Sequence, residues 1–225
     1  MHVRLEELAK TIDSHLPPRS RAGDVVRLCR EACGFHFAAV CVAPSAVGAA
    51  CERLRGCDVK VSAVADGGPE IARACVVAGA AELEVPLDTD AMLAGDFGGA
   101  RARLAAVVRA VRTASITTGR GHVLVKAAMD GDRLDIARKQ LACRIVETVG
   151  ADFAVLRTAA PARSSALWDV ELLRERLPER IGLKVAGPVA AAEEALEVAA
   201  AGAGRVGTPY GAAVVGGLPV LRRAS

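Results

Sequence analysis

The sequence has few aromatic residues and no long apolar run. Phe, Trp and Tyr make up 3% of its 225 residues, which favours a core of small and branched side chains. No stretch reaches the roughly eighteen uncharged apolar residues that a transmembrane helix needs, and the opening segment MHVRLEELAKTID lacks the apolar centre of a signal peptide. We therefore expect a soluble cytoplasmic protein with no membrane partner.

The sequence also lacks a concentrated charge of either sign and any metal-binding cysteine pattern. The formal net charge is +3, with basic residues spread along the chain, so we do not expect a nucleic-acid partner. The seven cysteines form no CxxC pair and have no His at metal-ligand spacing. We interpret all seven as small apolar residues in a reducing compartment, and we expect no metal site.

Eight short apolar runs alternate with longer segments of helical periodicity. The runs predict strands at Thr11–Leu16, Phe37–Ala43, Asp58–Val64, Ala81–Leu87, His122–Ala128, Asp152–Thr158, Ile181–Ala186 and Gly204–Thr208. The segments between them predict helices at Gly23–Cys33, Ala46–Leu54, Glu70–Ala78, Phe97–Thr113, Arg133–Val149, Ser165–Leu177 and Ala191–Ala200.

This alternation predicts the fold. Parallel neighbouring strands need a crossover helix, and eight such units in 225 residues favour a (β/α)8 TIM barrel that fills residues 1–225 as one domain. An open doubly wound sheet is the alternative. A Gly-Ala step precedes three of the predicted strands, at Gly79, Gly150 and Gly202, and indicates glycine caps at helix ends.

Charged residues inside the predicted strands are the candidates for chemistry, since an unpartnered buried charge costs several kcal/mol. The candidates among them are Asp13, Glu82, Glu84, Lys126, Arg157 and Lys184. In a barrel, catalytic groups lie at the C-terminal ends of the strands.

Lys184, in IGLKVAGPV, is expected inside the barrel near that end. A buried lysine loses its proton more readily, and the neutral amine attacks carbonyl carbons. Lys126, in HVLVKAAMD, has the same setting, so the two lysines are expected to depress each other's pKa. The alternatives are a structural lysine at 184 and an ion pair of Lys126 with Glu84 or Asp130.

Glu82 and Glu84 are two residues apart and point to the same side of a strand. Facing the barrel interior, they would transfer protons as general acid or base. The alternative is that they only neutralise interior cations.

Seven segments in order resemble the deoxyribose-phosphate aldolase family. They are TIDSHL (11–16), FAAVCVAPSAV (37–47), GAAELEVPLD (79–88), VKAAMDGDRL (125–134), GADFAVLRTAAP (150–161), IGLKVAGPV (181–189) and AGAGRVGTPYG (201–211). The resemblance implies a cofactor-free class I aldolase with a small carbonyl or sugar substrate, and it leaves a homodimer open.

The resemblance also implies roles for individual residues. Lys184 matches the family's seventh-strand lysine, and Glu84 matches its proton-relay aspartate. The Schiff-base lysine of the sixth strand is missing: an ungapped alignment places Val155 there, and a two-residue insertion places Arg157 there. Arginine stays protonated and cannot replace the amine.

The family holds the substrate phosphate with glycine-rich loops after its last three strands. Here Pro188 and Pro209 each remove an N–H donor. Residues expected to contact substrate are Asp13, Arg163, Gly187, Gly207 and Thr208.

The sequence is compatible with two functions. The first is a carbon–carbon lyase with its Schiff base relocated to Lys184, assisted by Lys126, Glu84 and Arg157. The second is a barrel that has lost catalysis and serves as a binding or regulatory protein.

Overall fold

The computed structural model describes residues 5–16 and 22–217, which form a closed barrel of eight parallel strands. Each strand pairs with the next along the chain, and the last pairs with the first. The strands are β1 Ile12–His15, β2 Ala39–Val42, β3 Lys60–Val64, β4 Glu82–Pro86, β5 Leu124–Asp130, β6 Phe153–Arg157, β7 Gly182–Ala186 and β8 Arg205–Thr208. The predicted TIM barrel is confirmed, and the open sheet is excluded.

Helices surround the barrel. They are α1 Leu5–Ala9, α2 Ala22–Phe35, α3 Val47–Arg53, α4 Gly68–Ala78, α5 Thr89–Ala94, α6 Phe97–Thr118, α7 Ile136–Val149, α8 Ser164–Arg176, α9 Ala192–Ala200 and α10 Gly211–Gly216, with a 3-10 turn at Pro44–Ala46. Aspartates at the starts of α5, α6 and α7 accept hydrogen bonds from backbone N–H groups that have no partner within the helix.

All eight predicted strands and all seven predicted helices are present, with bounds that shift by a few residues. The short helices α1, α5 and α10 were not predicted. Each has only five or six residues, too few for helical periodicity to be distinguished from an irregular loop.

The three Gly-Ala steps turn helix ends into strands as expected. Gly79, Gly150 and Gly202 have φ values of 120°, 73° and 112°, a region that disfavours residues with a Cβ. Gly150 caps α7 in a left-handed conformation and donates its N–H to the Glu147 carbonyl.

The main apolar core lies between the barrel wall and the helices. Strand residues that point outward, such as Leu83, Val125 and Leu183, are buried against helix residues such as Val111 and Val146. In the described part of the chain, no helix is long and apolar enough to cross a membrane.

One prediction about the cysteines is wrong. Cys33, near the end of α2, forms a disulfide with Cys57, which precedes β3, so these two are not free thiols. Cys29, Cys41, Cys75 and Cys143 are buried free thiols, as predicted, whereas Cys51 is a free thiol that is only partly buried. The spacing of 24 residues between the bonded cysteines carries no recognisable motif, which is why sequence inspection did not find the pair.

Candidate functional site

The barrel interior contains a network of ion pairs centred on Asp13 of β1. The Asp13 carboxylate is fully buried. Its Oδ2 lies 2.6 Å from Lys126 Nζ and 3.0 Å from Lys184 Nζ, and its Oδ1 accepts a hydrogen bond of 2.6 Å from Arg205 Nη1. Both carboxylate oxygens are therefore occupied by cations of the chain itself, and one of them, Oδ2, contacts both lysines.

Lys126 belongs to the end of this network where the strands begin. Its Nζ lies 2.5 Å from Glu82 Oε2, an ionic contact without hydrogen-bond geometry, and 5.6 Å from the centre of the Phe153 ring. Glu82, Phe153 and Arg205 are the first residues of β4, β6 and β8. The prediction that Lys126 pairs with Glu84 or Asp130 is wrong, because its ion-pair partners are Asp13 and Glu82.

Lys184 belongs to the other end of the network. Its Nζ donates a hydrogen bond of 2.9 Å to Glu84 Oε2, and Arg157 Nε lies 3.7 Å from Glu84 Oε1. Arg157 is the last residue of β6, and 41% of its side chain is exposed. Lys184 and Glu84 therefore lie below the open C-terminal end of the barrel, with Arg157 above them.

Both glutamates of β4 face this interior, as the spacing predicted. Together, four cations (Lys126, Lys184, Arg157 and Arg205) meet three carboxylates (Asp13, Glu82 and Glu84). The network thus carries a formal charge of +1 when every member is ionised.

The pKa values within the network favour the charged forms. Burial opposes ionisation of Asp13, yet Lys184, Lys126 and Arg205 outweigh it and hold the pKa of Asp13 well below its usual value. Burial likewise opposes ionisation of Glu84, but the Lys184 ammonium lowers the Glu84 pKa overall.

The expected depression of the Lys184 pKa is wrong. Burial favours the neutral amine, but the carboxylates of Asp13 and Glu84 outweigh burial and raise the Lys184 pKa above its ordinary value of 10.5. Sequence reasoning placed a second lysine beside Lys184 and overlooked the carboxylate that separates them, since Asp13 Oδ2 contacts both amines.

Strand β6 has no amine to offer this interior. Val155 pairs with Lys184 in the β6–β7 register and is fully buried, whereas Arg157 pairs with Ala186. Val155 therefore lies at the same level of the barrel as Lys184, whereas Arg157 lies two residues nearer the mouth.

The residues expected to bind substrate occupy different settings. Arg163 is exposed immediately before α8. Gly187 donates its N–H to the Gly207 carbonyl at 2.9 Å. At Gly207 a Cβ would lie 2.6 Å from Lys184 Cε, so this glycine leaves the space that the Lys184 side chain fills. The Thr208 hydroxyl is buried and donates to the Val189 carbonyl at 2.5 Å.

A cleft of about 260 Å³ lies at the C-terminal ends of β5, β6 and β7. It is lined by Asp130, Asp132, Arg157, Thr158, Ala159 and Ala186. Because Arg157 also contacts Glu84, the cleft adjoins the end of the network that contains Lys184.

Three residues in or near the charged network and the cleft were not singled out from the sequence. Arg205 lies inside a predicted strand and should have been counted with the other strand charges. His15 ends β1, and burial together with the Lys184 charge lowers its pKa. Asp132 lies beyond β5 in the segment before α7, where a polar residue is not unusual, so no signal marked it.

No family model matches the chain. Curated relatives do match it along most of its length. It is 31% identical to a deoxyribose-phosphate aldolase of Thermoanaerobacter sp., over 92% of this chain and 95% of the relative. It is 33% identical to a deoxyribose-phosphate aldolase of Thermococcus kodakarensis, over 95% of this chain and 97% of the relative.

Solved structures share the fold. An aldolase designated QR15 superimposes with a TM-score of 0.81 at 23% identity, covering 93% of this chain and 94% of its own. The tetrameric deoxyribose phosphate aldolase of Aeropyrum pernix superimposes with a TM-score of 0.75 at 24% identity, covering 95% and 91%. With identities of 31–33% over nearly the full length of curated relatives, this chain belongs to the deoxyribose-phosphate aldolase family.

Proposed function

We propose that this protein is an aldolase-type lyase that cleaves or forms a carbon–carbon bond in a small carbonyl compound, with Lys184 as the reacting amine. The observation that carries the proposal is the contact between Lys184 Nζ and Glu84 Oε2 at 2.9 Å, beside the cleft bounded by Arg157. An amine and a carboxylate in contact are the two groups that Schiff-base chemistry requires.

Position favours Lys184 over Lys126 as the nucleophile. Lys184 contacts Glu84, which reaches Arg157 at the mouth, whereas Lys126 lies among the first residues of β4, β6 and β8. A carbonyl compound that enters from the cleft therefore meets Glu84 and Lys184 first.

The reaction begins when the Lys184 ammonium loses a proton to solvent and its neutral amine adds to the substrate carbonyl. Loss of water gives an iminium ion. In cleavage, a carboxylate takes the proton of the β-hydroxyl group as the carbon–carbon bond breaks, which releases an aldehyde and leaves an enamine. Protonation of the enamine carbon and hydrolysis by water release the second product and restore the amine.

Arg157 and Asp13 serve this chemistry without forming bonds to the substrate. Arg157 lies 3.7 Å from the Glu84 carboxylate, so its permanent charge favours the ionised form of Glu84 that accepts a proton. Asp13 holds both lysines in place through a single oxygen.

Two observations favour a second function, a binding protein without covalent chemistry. The raised pKa of Lys184 keeps its amine protonated at neutral pH, and Val155 stands beside it in place of an amine. A barrel with this interior binds an anionic or polar small molecule through its cations and does not convert it.

Substitution of Lys184 and Lys126 distinguishes the lyase from the binding protein. Lys184→Met should abolish cleavage of carbonyl substrates, and Lys184→Arg should also be inactive because a guanidinium cannot act as a nucleophile. Lys126→Met should lower kcat while leaving a reactive amine. The measurement is aldehyde release from a panel of hydroxylated aldehydes and ketones, with the exposed Lys60→Met as the matched control.

Full activity in Lys184→Met would contradict the proposal, provided that circular dichroism shows each variant folded. Loss of activity in Lys126→Met alone would assign the amine to Lys126. Activity absent from the unmodified protein on every substrate would support the binding protein.

A further inference from the structure

Two hydrogen-bond donors of the loop that follows β6 are bonded to an internal carboxylate. Asp132 accepts from the Thr158 hydroxyl through Oδ1 and from the Ala159 N–H through Oδ2, each at 2.7 Å. The neighbouring N–H groups are also bonded, that of Thr158 to the Ala186 carbonyl and that of Ala160 to the Thr158 hydroxyl. A carboxylate thus holds the Thr158 hydroxyl and the Ala159 N–H, two donors that this loop would otherwise present to a bound anion.

The loop that follows β7 repeats this arrangement with a second carboxylate. Glu194 Oε2 accepts from the Ala190 N–H at 2.7 Å and from the Ala191 N–H at 3.2 Å. The Gly187 N–H donates to the Gly207 carbonyl, and the Val189 N–H donates to the Gly187 carbonyl. Since proline at 188 has no N–H, each backbone donor from 187 to 191 is used within the chain.

The loop that follows β8 is joined to the β7 loop by a hydroxyl. The Thr208 hydroxyl donates to the Val189 carbonyl at 2.5 Å and accepts from the Tyr210 N–H at 3.1 Å. The β6 and β7 loops also pack closely, because a Cβ on Gly187 would lie 2.4 Å from the Thr158 carbonyl oxygen. The three loops therefore form one internally bonded rim.

A phosphate group needs several free N–H or hydroxyl donors, as glycine-rich loops and helix starts provide elsewhere. A dianion that took the donors of residues 158–159 and 190–191 would have to displace Asp132 and Glu194, and each displaced carboxylate would remain nearby as a charge of the same sign. The cleft beside the rim adds Asp130, and the cation that lines this cleft, Arg157, contacts Glu84.

We propose that Asp132 and Glu194 determine substrate specificity by excluding phosphate, so that the substrate of this barrel is an uncharged hydroxylated carbonyl compound. The proposal rests on the lyase function proposed above for the same site. It adds a substrate class and two residues that lie outside the chemical machinery.

The first test measures phosphate binding and needs no activity. Inorganic phosphate is titrated calorimetrically into the unmodified protein and into Asp132→Ala/Glu194→Ala, which frees three N–H groups and one hydroxyl. The double variant should bind phosphate at least about tenfold more tightly than the unmodified protein, since charge-assisted hydrogen bonds to the freed donors become available. The matched control, Glu52→Ala/Glu147→Ala, removes two negative charges near the ends of α3 and α7, at the opposite side of the barrel, and should bind no better than the unmodified protein.

If the alanine variant does not fold, Asp132→Asn/Glu194→Gln removes the two charges while keeping their size, and it should show a smaller gain in the same direction. Tight phosphate binding by the unmodified protein, or equal affinities in all the proteins, would overturn the proposal. Loss of that binding in Arg163→Ala would then assign the anion site to Arg163.

The second test compares deoxyribose with deoxyribose 5-phosphate. The ratio of kcat/KM should favour the unphosphorylated sugar in the unmodified protein and shift at least about tenfold toward the phosphorylated sugar in the alanine variant. A preference for the phosphorylated sugar before mutation would overturn the proposal. If neither sugar nor any other carbonyl compound is cleaved, the lyase function fails, whereas the phosphate titration still decides whether the rim excludes anions.

Discussion

At the scale of single residues, Asp13 is the side chain on which the interior depends most. Its two oxygens contact Lys126, Lys184 and Arg205, and its side chain has no exposed surface. A buried charge that loses its partner is strongly destabilising, because the remaining ion is neither hydrated nor paired. Without the Asp13 charge, the two remaining carboxylates, Glu82 and Glu84, could not neutralise these three cations.

Asp13→Asn should therefore lower the free energy of unfolding by about 3–5 kcal/mol. Urea denaturation followed by circular dichroism measures the change. Glu147→Gln, which breaks an exposed pair with Arg180, is the control and should cost less than about 1 kcal/mol. Equal effects of the two substitutions would show that the interior network does not contribute as described.

The raised pKa of Lys184 predicts the pH dependence of the proposed reaction. Only the neutral amine reacts, and its fraction increases tenfold with each pH unit below the pKa. Because the pKa lies above its ordinary value of 10.5, kcat/KM should rise with pH from neutrality to at least pH 10.5. A plateau that begins near neutral pH would contradict a raised pKa in the free enzyme.

The same shifts set the pH range of stability. Asp13 has a lowered pKa, so its contribution is present above its ordinary value of 3.8 and is lost as the pH falls below it. Lys184 has a raised pKa, so its contribution is present below 10.5 and is lost as the pH rises above it.

Single residues of the site were predictable only in part. The charges at Lys126, Lys184, Glu82 and Glu84 were recognisable because they interrupt apolar strands. Their partners were not, since Lys126 and Asp13 are 113 residues apart in sequence and meet only when the barrel closes. The direction of the Lys184 pKa shift depends on Asp13, so the predicted direction was wrong as well.

At the scale of elements, the helix ends illustrate why the fold was readable. Gly150 ends α7 with a φ of 73°, and no atom lies within 4 Å of the position that a Cβ would occupy. A substitution there is strained by the backbone conformation alone, without a steric clash. The Gly-Ala step therefore indicated a cap without any knowledge of the tertiary structure.

Gly150→Ala should lower the free energy of unfolding by about 1 kcal/mol, the usual cost of placing alanine in a left-handed conformation. Thermal or urea unfolding measures it. Gly216→Ala is the matched control, since Gly216 lies in α10 with open space around it and no positive φ. An unchanged stability in Gly150→Ala would contradict the assigned cap.

The strands were predicted reliably because all of them are buried on the outer face, which makes each a compact apolar run. The rim of the site was not predictable. Asp132 lies between β5 and α7, and its bonds to Thr158 and Ala159 cross to the next loop. Such contacts follow from the packing of loops on a closed barrel and leave no periodic pattern in the sequence.

At the scale of the whole molecule, the barrel places its apolar and polar groups in separate layers. The core between strands and helices is mainly aliphatic, while seven charged residues form a network that runs from the barrel centre to its mouth. Barrel interiors are commonly filled by branched apolar side chains. A charged interior below an open cleft is therefore the feature of this molecule that most strongly indicates a functional site.

Borohydride trapping tests directly whether Lys184 forms a covalent adduct with a carbonyl substrate. The protein is incubated with a panel of hydroxylated aldehydes and ketones, reduced with borohydride, digested and mapped by mass spectrometry. We predict an adduct on Lys184 that is absent from Lys184→Met and retained in Lys60→Met. An adduct confined to exposed lysines, or no adduct at any lysine, would contradict the covalent mechanism.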